Sequence, residues 1–228
     1  MKRIKTLLVS KIMIRAVIFD FDGVLVESVD TKTKAYASLF AGEGEEVVSK
    51  VVAYHLEHGG VSRFEKFKFI YHEILQRPLS EEKFVALCED FSRRVVDEVV
   101  NARWVDGARE FLENKKNTYQ FFVVSGTPDE ELRAIIERRG MESSFVAVFG
   151  SPKTKDVLLN ELMALYGFKC NELIFVGDAT TDLQAAKSTG IRFIWRRISP
   201  ETPPMINFEG PTVSNLTQLE DCLEKVVS

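Results

Sequence analysis

Cysteine is scarce in this chain, with 3 in 228 residues. Cys88, Cys170 and Cys222 lie far apart, and no two have the C-x-x-C spacing of a zinc or dithiol site. They read as reduced, packed thiols of a cytoplasmic protein. Glycine and proline are also few, at 13 and 7, which excludes collagen-like and long disordered tracts. No apolar run approaches the ~18–20 residues of a membrane span. The basic start at Met1-Lys2-Arg3 loses its apolar run at Ser10-Lys11 with no small-residue cleavage site, so a signal peptide is not expected. Residues 1–12 read as an extension ahead of the fold, since Met13 would itself serve as a start. Excess charge is small too. Against 34 Asp+Glu stand 30 Lys+Arg, a formal net charge of −4, which speaks against nucleic acid or an anionic membrane as partner.

What is present is a core. Hydrophobic residues make up 45% of the chain, enough to fold without disulfides or structural metal. At roughly 150 residues per domain, the length fits one domain carrying a sizeable insertion. Five short apolar runs read as fully buried strands: Ala16 to Phe21, Gln120 to Val124, Val146 to Phe149, Leu173 to Val176 and Arg192 to Trp195. Helical patterns lie between the later ones, at Ala108 to Lys115, Glu130 to Arg139, Lys155 to Tyr166 and Asp182 to Ser188. Gly140 and Gly190 stand where helix stops belong. Such alternation predicts an α/β fold, a Rossmann-like parallel sheet with helices on both faces.

Residues 29–103 break the rhythm. Their apolar positions recur at helical spacing, as in Val47, Val48, Val51, Val52 and again in Phe84, Leu87, Cys88, Phe91, Val95, Val99. The prediction is an all-helical cap inserted into a core made of residues 1–28 and 104–228. A surface loop around Pro200 to Pro211 and a last helix, Thr217 to Val227, complete the expectation.

In an open parallel sheet, ligands bind at the carboxyl ends of the strands. The first strand runs into Asp20-Phe21-Asp22-Gly23, the second into Ser125-Gly126-Thr127-Pro128, and the fourth into Gly177-Asp178-Ala179-Thr180-Thr181-Asp182. Lys153 and Lys155 follow the third and open a helix. Singly, each feature can be a helix cap, a turn or a solvated charge. Jointly, they bring carboxylates, a hydroxyl and an ammonium to one rim. Clustered carboxylates call for a hard divalent cation, most naturally Mg2+, among Asp20, Asp22 and Asp178. The lysine and hydroxyl are then suited to phosphate oxygens. Two neighbouring aspartates can divide covalent catalysis into nucleophile and acid/base.

These segments, Asp20-Phe21-Asp22-Gly23-Val24-Leu25-Val26-Glu27-Ser28, Val124-Ser125-Gly126-Thr127, the lysine segment and Gly177-Asp178 with Asp182, resemble in order the four motifs of the haloacid dehalogenase superfamily. The likeness spans residues 14–198, and the insertion resembles the cap of its beta-phosphoglucomutase-like and phosphoglycolate-phosphatase-like branch. The resemblance implies Asp20 as nucleophile, Asp22 as acid/base, and Ser125 with Gly126 and Thr127 on phosphate. It implies Mg2+ on Asp20, the Asp22 carbonyl and Asp178, with Asp182 in support. The third motif departs from the branch's common Lys-Pro-x-Pro-Asp; Ser151-Pro152-Lys153-Thr154-Lys155-Asp156 stands instead, with Lys155 favoured over Lys153 as the phosphate-binding lysine.

The expected function is Mg2+-dependent hydrolysis of a small phosphorylated metabolite through an aspartyl-phosphate, by a monomer or homodimer. A sugar phosphomutase is the nearest alternative, and a phospho-acceptor signalling module the alternative from another class. A phosphonate-cleaving relative would need a cap lysine, for which Lys32, Lys34 and Lys66 are available. In the cap, Ser62 and Glu65 have capping-box spacing. Arg63 and Lys66 either solvate that helix or contact the substrate's leaving group.

Overall fold

The computed structural model describes residues 13–227 apart from Pro203 and Asn207. The readings made of residues 1–12 therefore lie outside the described residues. Six strands form one parallel sheet: β1 (Ala16–Phe19), β2 (Gln120–Pro128), β3 (Ala147–Ser151), β4 (Leu173–Gly177), β5 (Arg192–Arg196) and β6 (Thr212–Val213). Their spatial order, β3-β2-β1-β4-β5-β6, reverses direction at β1, so a crevice opens where β1 and β4 end side by side.

Alternation along these strands divides the core. Val17, Phe19, Phe121, Val123, Ile174 and Val176 point to one face, where α5 (Ala108–Lys115), α6 (Asp129–Arg138) and α9 (Leu219–Val227) cover them. Ala16, Ile18, Phe122, Val124, Leu173 and Phe175 point to the other, under α7 (Lys155–Tyr166) and α8 (Thr180–Thr189). Continuous apolar strands buried on both faces are what a helix-covered parallel sheet demands.

Between β1 and β2 come α1 (Val29–Leu39), α2 (Glu45–Glu57), α3 (Arg63–Phe69, prolonged by a wider turn over Ile70–Ile74) and α4 (Glu81–Asn101). Tyr36, Phe40, Val51, Phe67, Ile70, Phe91 and Val95 pack among them. Ser62 accepts from the Glu65 N–H and Ser80 from the Lys83 N–H, so both N-termini are capped by their own hydroxyls. The two ends of this helical segment lie together, with Glu27 N donating to Arg103 O (2.9 Å) and Val105 N to Leu25 O (3.0 Å).

Where the sequence reading and the structure differ, hydrogen bonds explain it. β1 stops at Phe19, because the Phe21 carbonyl turns to accept from Leu25 N and Val26 N. Asp20 still takes a ladder bond, its N donating to Val176 O (2.9 Å), whereas Asp22 stands at the turn beyond it. β3 begins at Ala147 and leaves Val146 half exposed. The α8 helix begins two residues earlier than expected, since the Asp182 carboxylate accepts the Ala179 N–H and closes the first turn from within. β6, only two residues long, carries too little pattern to be foreseen.

Arg139, just past α6, binds the end of α4 by donating from Nη1 to the carbonyls of Val99 (2.8 Å), Val100 (2.7 Å) and Ala102 (2.9 Å). A helix C-terminus has no intrahelical partners for such groups. Arg139→Met should therefore lower the unfolding free energy by about 2 kcal/mol, read as an earlier urea midpoint at unchanged slope.

Candidate active site

The β1 and β4 ends supply the acidic groups. Asp20 is buried; its Oδ1 accepts from Phe21 N (2.6 Å) and its Oδ2 from Lys155 Nζ (2.7 Å). The same ammonium donates to Asp182 Oδ1 at 2.5 Å. Lys155 is the first residue of α7, and its side chain is fully enclosed between the two carboxylates. Lys153 lies outside the site: its side chain is 56% exposed and pairs with Glu161 at 2.7 Å.

Carboxylate oxygens of Asp20, Asp178 and Asp182 all lie within 4.8 Å of one another. Burial pushes the Asp20 carboxyl up to about 6, with Lys155 pulling against it and Asp182 and Asp22 adding to it. Burial, then the charges of Asp20 and Asp182, push Asp178 well above the ordinary carboxylate range. Lys155 feels the converse: burial favours its neutral form, but Asp182 and Asp20 outweigh that and hold it charged well beyond the usual lysine range.

Asp22 stands apart from this cluster. Its carboxylate accepts from Ser28 Oγ (2.6 Å), from Thr127 Oγ1 (3.0 Å) and from Lys32, which also donates to Thr127 Oγ1 (2.8 Å). Burial raises its pKa, but the Lys32 charge and these hydrogen bonds prevail and keep it below the ordinary value. The expectation that the Asp22 side chain would join the acidic cluster needs correcting to this extent: Asp182 occupies that place. The Thr127 hydroxyl, expected to meet phosphate, is bonded to Asp22. Ser125 is buried in the cavity wall, its Oγ accepting from Thr127 N at 3.2 Å.

Gly23, at φ +73, turns the chain so tightly that a Cβ there would strike the Asp178 carboxylate. Arg196 pins this turn by donating to Gly23 O (3.0 Å) and pairing with Glu27 (2.6 Å). Trp195 Nε1 donates to Asp178 O at 3.1 Å.

The inserted helices close over this rim. A Cβ on Gly126 would collide with Gly60 O, so the second-strand glycine provides room for the Gly59–Gly60 loop; Thr181 Oγ1 then donates to Gly59 O (2.7 Å). Between the two parts lies a cavity of about 680 Å³, with Asp20, Asp22, Ser125, Gly126, Thr127 and Asp178 on the core side. Tyr36, His55, Arg63, Lys66, Phe91 and Lys32 face it from the helices. Arg63 and Lys66 do not solvate their helix; both are buried. Arg63 reaches across to Glu131 of α6 and donates to Ser92 Oγ (2.6 Å). Lys66 donates to His55 Nδ1 (2.9 Å) and His55 O (3.1 Å), and burial with Lys32 and Lys155 nearby lowers it to about 7.

Lys32, His55 and Glu131 were not singled out as acid–base or cation partners from sequence. The sequence offers Lys32 only as an amine for phosphonate chemistry, and a single sequence has no signal that pairs residues 10 or 68 positions apart.

Among curated proteins, phosphoglycolate phosphatase 1 of Pseudomonas aeruginosa is 24% identical over 92% of this chain and 80% of its own length. A phosphoglycolate phosphatase of Synechococcus elongatus is 26% identical over 78% of this chain and 81% of its own. The crystal structure of a beta-phosphoglucomutase from Clostridium difficile superposes with a TM-score of 0.74 at 20% identity, over 95% of this chain and all of that one, a likeness of fold. With the profile of haloacid dehalogenase-like hydrolases matching residues 17–196, the chain belongs to that family.

Proposed function

We propose that the protein hydrolyses small-molecule phosphate monoesters with Mg2+ through a phosphoryl group carried on Asp20, beneath a cap formed by residues 29–103. The observation that carries this reading is the gathering of Asp20, Asp178, Asp182 and Lys155 at the strand ends, with Asp22 set apart beside them. Membership of a hydrolase family and relatives named as phosphatases support it, and no observation favours the phosphomutase or the phospho-acceptor alternative. Phosphoglycolate is accordingly the first substrate to test.

The donor set fits a hard divalent ion. It consists of oxygens, it is short of positive charge with Lys155 as its one ammonium, and the Gly23 turn leaves space beside Asp178 that a Cβ would fill. Asp20, Asp178 and the Asp22 carbonyl would hold Mg2+, with Asp182 in support through its bonds to Lys155 and Ala179 N. Bound there, Mg2+ would draw charge from the phosphate oxygens and keep them beside the carboxylates.

In the first half-reaction the Asp20 carboxylate attacks phosphorus, the P–O ester bond breaks, and a proton from Asp22 goes to the leaving alkoxide. In the second, Asp22 takes a proton from water, the hydroxide attacks the same phosphorus, and phosphate leaves Asp20. Lys32, Ser28 and Thr127 hold Asp22 in the proton-accepting form that this second step uses. Ser125, in the cavity wall, and Lys155, bonded to Asp20 Oδ2, would bind the phosphoryl oxygens from the core side. The cavity is compatible with a small soluble substrate, and among the described residues no helix is long and apolar enough to cross a membrane.

Asp20→Asn should lose at least about 10³-fold in phosphate release, and EDTA should abolish wild-type release reversibly on adding Mg2+; activity surviving the substitution would remove Asp20 as nucleophile. Lys155→Met should abolish turnover and, by leaving buried carboxylates without a counter-charge, cost about 3–5 kcal/mol of stability by denaturant titration. Lys153→Met should stay within twofold in turnover, and the reverse ranking would transfer the phosphate contact to Lys153.

A further inference from the structure

One wall of the cavity belongs to neither the acidic rim nor the inserted helices. Beyond β5 the chain passes over the rim before it returns as β6, and Ile198, Thr202, Pro204, Met205 and Ile206 line the cavity from this loop. β5 lies beside β4 and ends at the same edge of the sheet, so the loop starts next to Asp178, whose carbonyl accepts from Trp195 Nε1. Several contacts hold its backbone. Arg197 donates to Pro200 O (2.6 Å) and Thr202 O (2.6 Å), and Thr202 N to Ser199 O (3.0 Å). Met205 is buried in the core under α7 and α8, and Phe208 packs edge-on against Phe193 with ring centroids 5.4 Å apart. Anchored in this way, the loop still leaves large apolar side chains facing water: Ile206 is 85% exposed and Ile198 39%. Of the described loop residues on this wall Thr202 alone is polar, and its Oγ1 accepts from Ser199 N (3.3 Å). A single exposed isoleucine is ordinary, but two on one cavity wall, beside Pro204, Met205 and Trp195, form an apolar patch suited to a ligand.

Charge narrows what that ligand is. Lys32 and Arg63 are each paired with a carboxylate, and burial lowers Lys66 to about 7. Asp30 and Glu57 line the same cavity. A second anion on the substrate would therefore meet carboxylates and, among the described residues, no cation that is both fully charged and unpaired. Volume points the same way. The 680 Å³ of the cavity falls among sites that enclose drug-sized ligands, roughly 300–1,000 Å³, and a two-carbon phosphate ester would fill little of it. We propose that the β5–β6 loop is a specificity-determining wall that receives an apolar, uncharged part of the leaving group, so that the preferred substrates are phosphate monoesters of aryl-bearing or branched aliphatic alcohols. The inference rests on the hydrolytic reading and deepens it by naming the class of leaving group, which a core loop selects.

Ethyl, 3-methylbutyl and 2-phenylethyl phosphate test it, since their alcohols are of similar acidity, with phosphoglycolate as the anionic member of the set. Wild-type kcat/KM should favour 2-phenylethyl over ethyl phosphate by about 30-fold, with 3-methylbutyl phosphate between them and phosphoglycolate below 2-phenylethyl phosphate. The double variant Ile198→Ser with Ile206→Ser should cut that ratio to about 3, through KM, while Ile206→Leu should retain it. 2-Phenylethanol, but not glycolate, should inhibit the wild type competitively, a readout that needs no variant to fold. Equal use of ethyl and 2-phenylethyl phosphate by the wild type, preference for phosphoglycolate over both, or equal loss on both in the double variant overturns the assignment while leaving phosphate hydrolysis intact. So does a change from dimer to monomer in sedimentation of the double variant with its substrate ratio unaltered, which gives the patch to a second copy of the chain. No Mg2+-dependent release from any of the four esters overturns the hydrolytic reading, and this inference with it.

Discussion

Carboxylates cannot gather in a protein interior without a counter-charge, and here the Lys155 ammonium supplies it, 2.7 Å from Asp20 and 2.5 Å from Asp182. The contact joins the ends of three elements: the turn after β1, the start of α7 and the first turn of α8. Asp182 also closes α8 by accepting from Ala179 N, so the group that holds the lysine sets where the helix begins. Asp178, four residues before Asp182, is thereby fixed at the mouth of the crevice between β1 and β4. One ammonium with two carboxylate partners thus orders the rim, and it does so at the point where the strand order reverses.

Two aspartates separated by a single residue have opposite electrostatic surroundings. Asp20 shares its space with Asp178 and Asp182, and burial raises its pKa despite Lys155. Asp22 meets no carboxylate in its immediate hydrogen bonding; Lys32, Ser28 and Thr127 surround it, and its pKa falls. The separation follows from local backbone. Once the Phe21 carbonyl turns to Leu25 and Val26, the chain leaves the strand direction, and Gly23 lets it double back. Environments that drive paired carboxylates apart in pKa are how one site obtains two roles from one residue type.

The sheet and most helices were legible because buried strands and amphipathic helices leave periodic traces. Periodicity marks α5 and α7 at the bounds they have in the structure, Ala108–Lys115 and Lys155–Tyr166. Strand and helix ends were less legible, since they depend on single hydrogen bonds such as Asp182 to Ala179 N. The strand-end residues were visible as a convergence, because topology alone brings successive strand ends to one rim. The partners of those residues were not. Nothing in the spacing of Arg63 and Glu131, or of Lys32 and Asp22, announces an ion pair, because each pair spans the inserted helices and the core. For the same reason Arg63 and Lys66, which look like solvated charges on a helix beginning at Ser62, turn out to be buried.

Those cross-contacts share a sign pattern. The core rim presents Asp20, Asp22, Asp178 and Asp182 with Lys155 as their ammonium, while the inserted helices bring Lys32, Arg63 and Lys66. Apart, the rim would carry excess negative charge, and Lys32 and Arg63 would lack their carboxylate partners. Together, Lys32 neutralises Asp22, and Arg63 spans to Glu131. These two ion pairs therefore tie the helices to the core across the cavity. Gly126 and Gly60 set how close the approach can be, since a side chain at either would strike the facing backbone or Thr181. Lys66 is left over from this pairing. Lys66 is enclosed against neutral acceptors alone, the His55 ring and carbonyl, and burial with Lys32 and Lys155 nearby lowers it to about 7.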